Sequence, residues 1–286
     1  MKNPVFLLLF TILSVSLVAQ DGSFKLDKDY SISKTGTLDL RSSDADVFIT
    51  GSDRANAHVK IERTVESKGV VWGEGNFTVD IDEENGNLVI RERQENVRVG
   101  VIGYYRENYK IEIQVPMGVS LKILGDDGDY FIKNINGSVS MDIDDADAEL
   151  TACAGSQFYF NIDDGDISMD GGKGELEIDG DDSDIKIRNA QFSSIRAEMD
   201  DGDIRIETSL VTNGNYSIDS QDGSVILDIL GGGGTFDIRH DDARVMTEGN
   251  FTSIQKDEDR TQVSLAGGSA KINIRLDDGS VRLSAN

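Results

Sequence analysis

The chain has one cysteine, two prolines, one tryptophan and two histidines among its 286 residues. With Cys153 alone, no internal disulfide can form, so stability must come from burial and hydrogen bonding. Flanked by Ala152 and Ala154, with no histidine or cation beside it, Cys153 reads as a small buried hydrophobe and not as a reactive thiol. Basic residues are also scarce: 28 Lys and Arg stand against 53 Asp and Glu, a formal charge of −25. That balance argues against nucleic acid as a partner, because phosphate contacts need clustered cations. It equally disfavours docking on an anionic membrane surface. Past Val18, no apolar run approaches the roughly 20 residues needed to span a bilayer, so no membrane insertion is expected of the mature chain.

The one long apolar run, Val5 to Val18, follows Lys2 and leads to Ala19 before Gln20. At about 14 residues it is too short for a transmembrane helix but suits a secretory leader cut after a small residue. We expect a signal peptide over residues 1–19; the alternative is a buried N-terminal strand. No cysteine stands at the cut for a lipid anchor, and the closing SVRLSAN carries no sorting or anchor segment. The expectation is therefore an exported protein of the periplasm or cell surface.

Against these absences stand 30 glycines and a repeat. A short acidic turn returns between alternating apolar strands: ILGDDGDYFI, MDIDDADAEL, FNIDDGDISM, EIDGDDSDIKI, AEMDDGDIRI, IDSQDGSVIL, DIRHDDARVM and IRLDDGSVRL. The central small residues are Gly128, Ala146, Gly165, Ser183, Gly202, Gly223, Ala243 and Gly279, at intervals of 18, 19, 18, 19, 21, 20 and 36. The last interval is two periods, which predicts a degenerate copy in IQKDEDRTQVSL. Another copy, LDLRSSDADVFI around Ala45, opens the mature chain.

In FNIDDGDISM, Phe160 and Ile162 face one way before the turn, as Ile167 and Met169 do after it, with Asn161 and Ser168 opposite. A unit this short cannot bury its own apolar face, and stacking units in register would. We therefore read an all-β, single-stranded β-solenoid of about 18–21-residue units in residues 119–286, with one unit per coil favoured over two. An antiparallel sandwich would not need its turn chemistry at so regular a spacing. The inward ladder is predicted to be Phe160, Ile162, Ile167, Met169, Ile178, Ile185, Ile187, Met199, Ile204 and Ile206. Residues 20–118 read as a less regular β-rich part of the same solenoid, with a hairpin at Asn85-Gly86 and long excursions over Glu62–Gly75 and Gln94–Asn108.

The segment IEIQVPMGVSLKILGDDGDYFIKNINGSVSMDI resembles the bacterial putative-adhesin family of β-strand-repeat proteins, a domain-of-unknown-function family. Val115, Pro116, Gly118, Leu121 and Ile123 match its "VP-x-G-x-x-L-x-I" lead-in. Asp166-Ile167, Asp184-Ile185 and Asp203-Ile204 match its recurrent turn. The resemblance covers roughly residues 37–286 and implies an exported solenoid. This chain is more acidic than the family pattern, with Asp where Ser or Thr is usual at the first turn position.

Catalysis finds little support. His58 and His240 belong to no nucleophile motif, and Gly231–Gly234 reads as a connection between strands. A polysaccharide-cleaving site would need a few convergent carboxylates, whereas these acids recur periodically, as structural turns would. Stacked Asp-Asp-x-Asp turns about 4.8 Å apart leave two readings open. Either the turns are a solvated acidic edge, or calcium loads the column, beginning at Asp163, Asp164, Asp166, Asp200, Asp201 and Asp203. The expected function is a non-enzymatic structural or adhesin-like interaction module whose partner is an envelope protein or glycan. A calcium-dependent surface binding protein is the alternative.

Overall fold

The computed structural model describes residues 15–18, 23–72, 77–94 and 100–285. It is all-β, and the strands form two facing sheets, termed front and back, that the chain visits alternately. Alternation of apolar and polar residues along each strand drives this arrangement, since each sheet needs a second one to cover its apolar side.

In the regular stretch the front sheet is wholly parallel. Val139 lies opposite Phe158, Phe158 opposite Leu176, Leu176 opposite Ile195, and Ile195 opposite Tyr216. The back sheet follows the same order: Tyr130 meets Ala148, Ala148 meets Ile167, Ile167 meets Ile185, and Ile185 meets Ile204. One front strand, an acidic turn and one back strand thus complete a coil. All ten residues of the predicted inward ladder are buried, with at most 3% of their surface exposed. Cys153 is buried as well, and burial pushes its thiol up.

The small turn residues form the predicted column. A Cβ on Gly202 would lie 2.1 Å from the carbonyl oxygen of Ser183, and one on Gly279 would lie 1.9 Å from that of Gly223. Gly202 also has φ of +121°, a conformation closed to most L-residues. Asn85 and Gly86 take φ of +50° and +83° between the paired strands Phe77–Glu84 and Asn87–Gln94, making the expected hairpin.

Both ends of the stack depart from chain order. The first coil, Thr37–Ser42 with Asp46–Ser52, lies between a later coil (Asn87–Gln94 with Gly100–Pro116) and the coil that starts at Ser120. At the other end the last coil, Ala270–Leu276 with Ser280–Ala285, lies inside the coil formed by Gly234–His240 and Arg244–Glu248. Each terminal coil is thus clamped by a neighbour from further inside the chain.

One sequence expectation is corrected here. IQKDEDRTQVSL is not a coil: Phe251–Lys256 and Arg260–Leu265 form an antiparallel hairpin that closes the front sheet against Gly234–His240. Lacking the small turn residue, this copy cannot stack in the column, and antiparallel pairing satisfies its backbone instead. Within the described residues of the excursions, Ala57–Trp72 and Gly100–Pro116 pair antiparallel from His58↔Gln114 to Trp72↔Gly100. Phe24–Tyr30 adds antiparallel outside them and ends the back sheet. Such non-repeating strands block further edge-to-edge pairing of the stack.

Val15–Val18 pairs antiparallel with Thr78–Ile81 at the front sheet's outer edge. The cut expected after Ala19 falls outside the described residues.

Candidate functional site

The predicted carboxylates stand in columns that run along the stack. Asp145, Asp164, Asp182 and Asp201 are successive register partners at the ends of the front strands. One full coil, with Asp182 in it, therefore separates Asp164 from Asp201, and the two predicted trios do not converge. All six are exposed at the turn edge. Among the described residues, no group of three or more His, Cys, Asp or Glu is gathered closely enough to hold a metal ion.

The last Asp of each turn has a structural task that the sequence did not reveal. Asp166 donates its backbone N–H to Asp147 Oδ1 at 2.9 Å, Asp184 donates to Asp166 Oδ1 at 3.2 Å, and Asp203 donates to Asp184 Oδ1 at 2.8 Å. Each carboxylate thus braces the next coil's turn, and a charged acceptor strengthens such a bond. At the crowded column, desolvation by neighbouring groups first and then the charges of Asp144, Asp181, Asp164 and Asp142 hold the exposed carboxyl of Asp163 above the ordinary range. Asp126 is raised by burial, Asp144, Asp127 and Asp44, and Asp127 by burial, Asp44, Asp145 and Asp144.

Neither histidine occupies a nucleophile arrangement. His58 lies between Asp29 Oδ1, 2.9 Å from its Nδ1, and Asp27 Oδ1, 3.4 Å from its Nε2, at the surface. His240 places Nε2 3.4 Å from Thr261 Oγ1. Glu92, partly buried, accepts from the Ser43 N–H at 3.1 Å and from Ser43 Oγ at 2.6 Å. Burial pushes its carboxyl up, and the contacts tie the clamping coil Asn87–Gln94 to the first coil's turn.

Three depressions lie along the outward side of the front sheet. One shallow depression of 350 Å³ surrounds Tyr159, which is 38% exposed, with Ser140, Gln157, Glu177, Ser194 and Arg196 about it. Two more lie toward the C-terminal end. The first, of 290 Å³, is lined by Ser217, Asp219, Asp237, Arg239, Asn273 and Arg275. The second, of 460 Å³, is lined by Arg239, His240, Asp241, Asp259, Arg260 and Arg275, with Asp277. The first two open on laddered strands, which hold a recognition surface in fixed geometry, and the third reaches from those strands to the turns at Asp241, Asp259 and Asp277.

These arginines were not singled out from the sequence. Arg275 and Arg239 are register partners, as are Arg239 and Arg260, so three guanidinium groups occupy one row across adjacent strands. Arg260 makes a bidentate pair with Asp237, at 2.8 and 2.6 Å, and holds that carboxyl below its ordinary range. Arg275 donates to Asp219 at 3.0 Å.

Three comparisons bear on the chain's relatives. No curated protein matches it significantly. Among solved structures, a putative adhesin from Bacteroides fragilis is 12% identical, with 91% of this chain and 97% of that one covered at a TM-score of 0.48. One from Parabacteroides distasonis is 10% identical, covering 92% and 98% at 0.49. A putative cell adhesion protein from Clostridium sporogenes is 11% identical, covering 92% and 100% at 0.28. A family model matches residues 36–284, almost all of the two-sheet stack, and by that match the chain belongs to the Toastrack family, DUF4097.

Proposed function

We propose that the chain is exported and serves as a non-enzymatic, adhesin-like interaction module of the bacterial envelope, meeting an envelope protein or glycan through the outward side of its front sheet. The supporting observation is that the depressions around Tyr159, Arg196 and Arg239 all open on that one face. A laddered sheet holds such groups in fixed register, so a partner gains contacts without the cost of ordering a loop. The apolar run ending at Val18 supports export. A cut after Ala19 would remove Val15–Val18 and leave Phe77–Glu84 as the front sheet's outer strand.

The test is co-sedimentation of the mature chain with isolated envelopes. Tyr159→Ala and Arg196→Ala on the front face should each weaken retention at least threefold. Lys186→Ala and Arg282→Ala, outward on the back sheet, should leave it unchanged. Equal retention of all four variants overturns the assignment of the face. Recovery of an exported chain beginning at Gln20 supports the leader, and one beginning at Met1 contradicts it.

A further inference from the structure

We propose that Arg239 is the centre of an oxyanion subsite that takes the carboxylate or sulfate of an acidic glycan. The inference rests on the front-face reading above and names its ligand class.

One row of outward residues on the front sheet changes sign along the stack. By register it runs Asp142, Asn161, Asp179, Glu198 and Asp219, then Arg275, Arg239 and Arg260. Three like charges on strands about 4.8 Å apart oppose sheet stability. They are unexpected in a chain with so few cations. Asp237 relieves Arg260 and Asp219 relieves Arg275, each by direct hydrogen bonds. The side chain of Arg239, between them and exposed, makes no hydrogen bond or ion pair among the described residues, although its charge is felt at Asp237. Its planar fork of donors is the geometry that receives a carboxylate or sulfate through two oxygens. His240 lines the larger depression beside it, and its buried Nδ1 also has no hydrogen-bond partner among the described residues.

The surroundings orient the ligand. On the turn side, Asp241, Asp259 and Asp277 line the depression and repel anionic groups. On the other side, two residues back along each parallel strand and two forward on the antiparallel one, the row reads Ser217, Asn273, Asp237 and Gln262. Apart from Asp237, which Arg260 engages, these are neutral donors and acceptors suited to hydroxyl groups. A ligand with one oxyanion on Arg239 and a neutral, hydroxyl-rich body across Asn273 and Ser217 satisfies both sides. A dense polyanion does not, because its further charges meet the acidic rim. An acidic sugar chain with spaced charges has the required chemistry.

The test is calorimetric titration of the full mature chain at about 0.15 M salt, where long-range repulsion from its acidic surface is largely screened. The probes are a uronate-containing oligosaccharide, a sulfated one and a neutral one of equal length. Binding of either charged probe with at least tenfold preference over the neutral one is expected. Arg239→Gln should abolish that preference, and Asn273→Ala should weaken all binding about threefold. Lys186→Gln, which removes one positive charge from the back sheet, should change neither. The uronate and sulfate arms identify which oxyanion is taken. Unaltered preference in a folded Arg239→Gln variant, or equal binding of all three probes, overturns the subsite. If envelope retention still depends on Tyr159 and Arg196 after that result, the front-face reading stands without it.

Discussion

Replacing Ile185 with alanine probes the inward ladder where it is most regular. Ile185 is 1% exposed and stacks between Ile167 and Ile204 in adjacent coils. The substitution removes three carbons, a transfer loss of about 2.4 kcal/mol at about 0.8 per carbon. Ladder hydrogen bonds on both sides hold the backbone, so the gap closes poorly and the total cost rises to about 3–4 kcal/mol. Lys186, next in sequence, points outward with Ser168 and Arg205 as its register partners. Its alanine variant should stay within about 0.5 kcal/mol of the parent. Urea unfolding followed by circular dichroism compares the two, with amide exchange showing whether the loss concentrates in the coils around Ile185, as nearest-neighbour stacking requires. Equal midpoint shifts at both positions would refute the inward and outward assignment.

Three further outcomes are expected. Asp184→Ala should lower stability by about 0.5–1.5 kcal/mol through loss of the acceptor for the Asp203 N–H, while Asp184→Asn should retain most of it; equal losses in urea unfolding would contradict the brace. Asp163 has a raised folded-state carboxyl pKa, so the folded state binds its proton more tightly. That contribution is complete below the unfolded value near 3.8 and is lost as pH rises through the folded pKa. Asp163→Asn should therefore raise the melting temperature at neutral pH relative to the parent and narrow the difference below pH 3.8, and the reverse order would exclude charge crowding there. Calcium should raise the melting temperature no more than sodium at matched ionic strength, since the acidic columns run along the stack without converging; a larger, saturable rise would establish a specific site.

Much of the stack was legible because two independent periods agree in the sequence. Alternation of apolar residues assigned Phe160, Ile162 and Ile185 to the interior. The recurring small residue placed Gly165, Ser183 and Gly202 in one column, where carbonyl oxygens leave little room for a side chain. The order of coils at the ends was not legible. The 36-residue interval between Ala243 and Gly279 fits a stacked coil as well as a hairpin, and pairing of Gly234–His240 with Ala270–Leu276 is a long-range choice that no local pattern records. The arginine row escaped for a related reason. Comparing the same outward position across repeats would have exposed Arg239 and Arg275 against Asp179 and Glu198, but Arg260 enters the row from an antiparallel strand outside the repeat phase. The bracing role of Asp147, Asp166 and Asp184 escaped too, since an acceptor for the next coil's amide is indistinguishable in sequence from a solvated turn residue.

If the outward side of the front sheet is the recognition face, binding must shield that side of the chain. Hydroxyl-radical footprinting of the mature chain, free and bound to isolated envelopes, tests it most directly. Protection should fall on Tyr159 and on the strands carrying Arg196, Arg239 and Arg275, while Phe131 on the back sheet, 37% exposed, keeps its free-state reactivity. Protection of Phe131 with Tyr159 left reactive would contradict the claim.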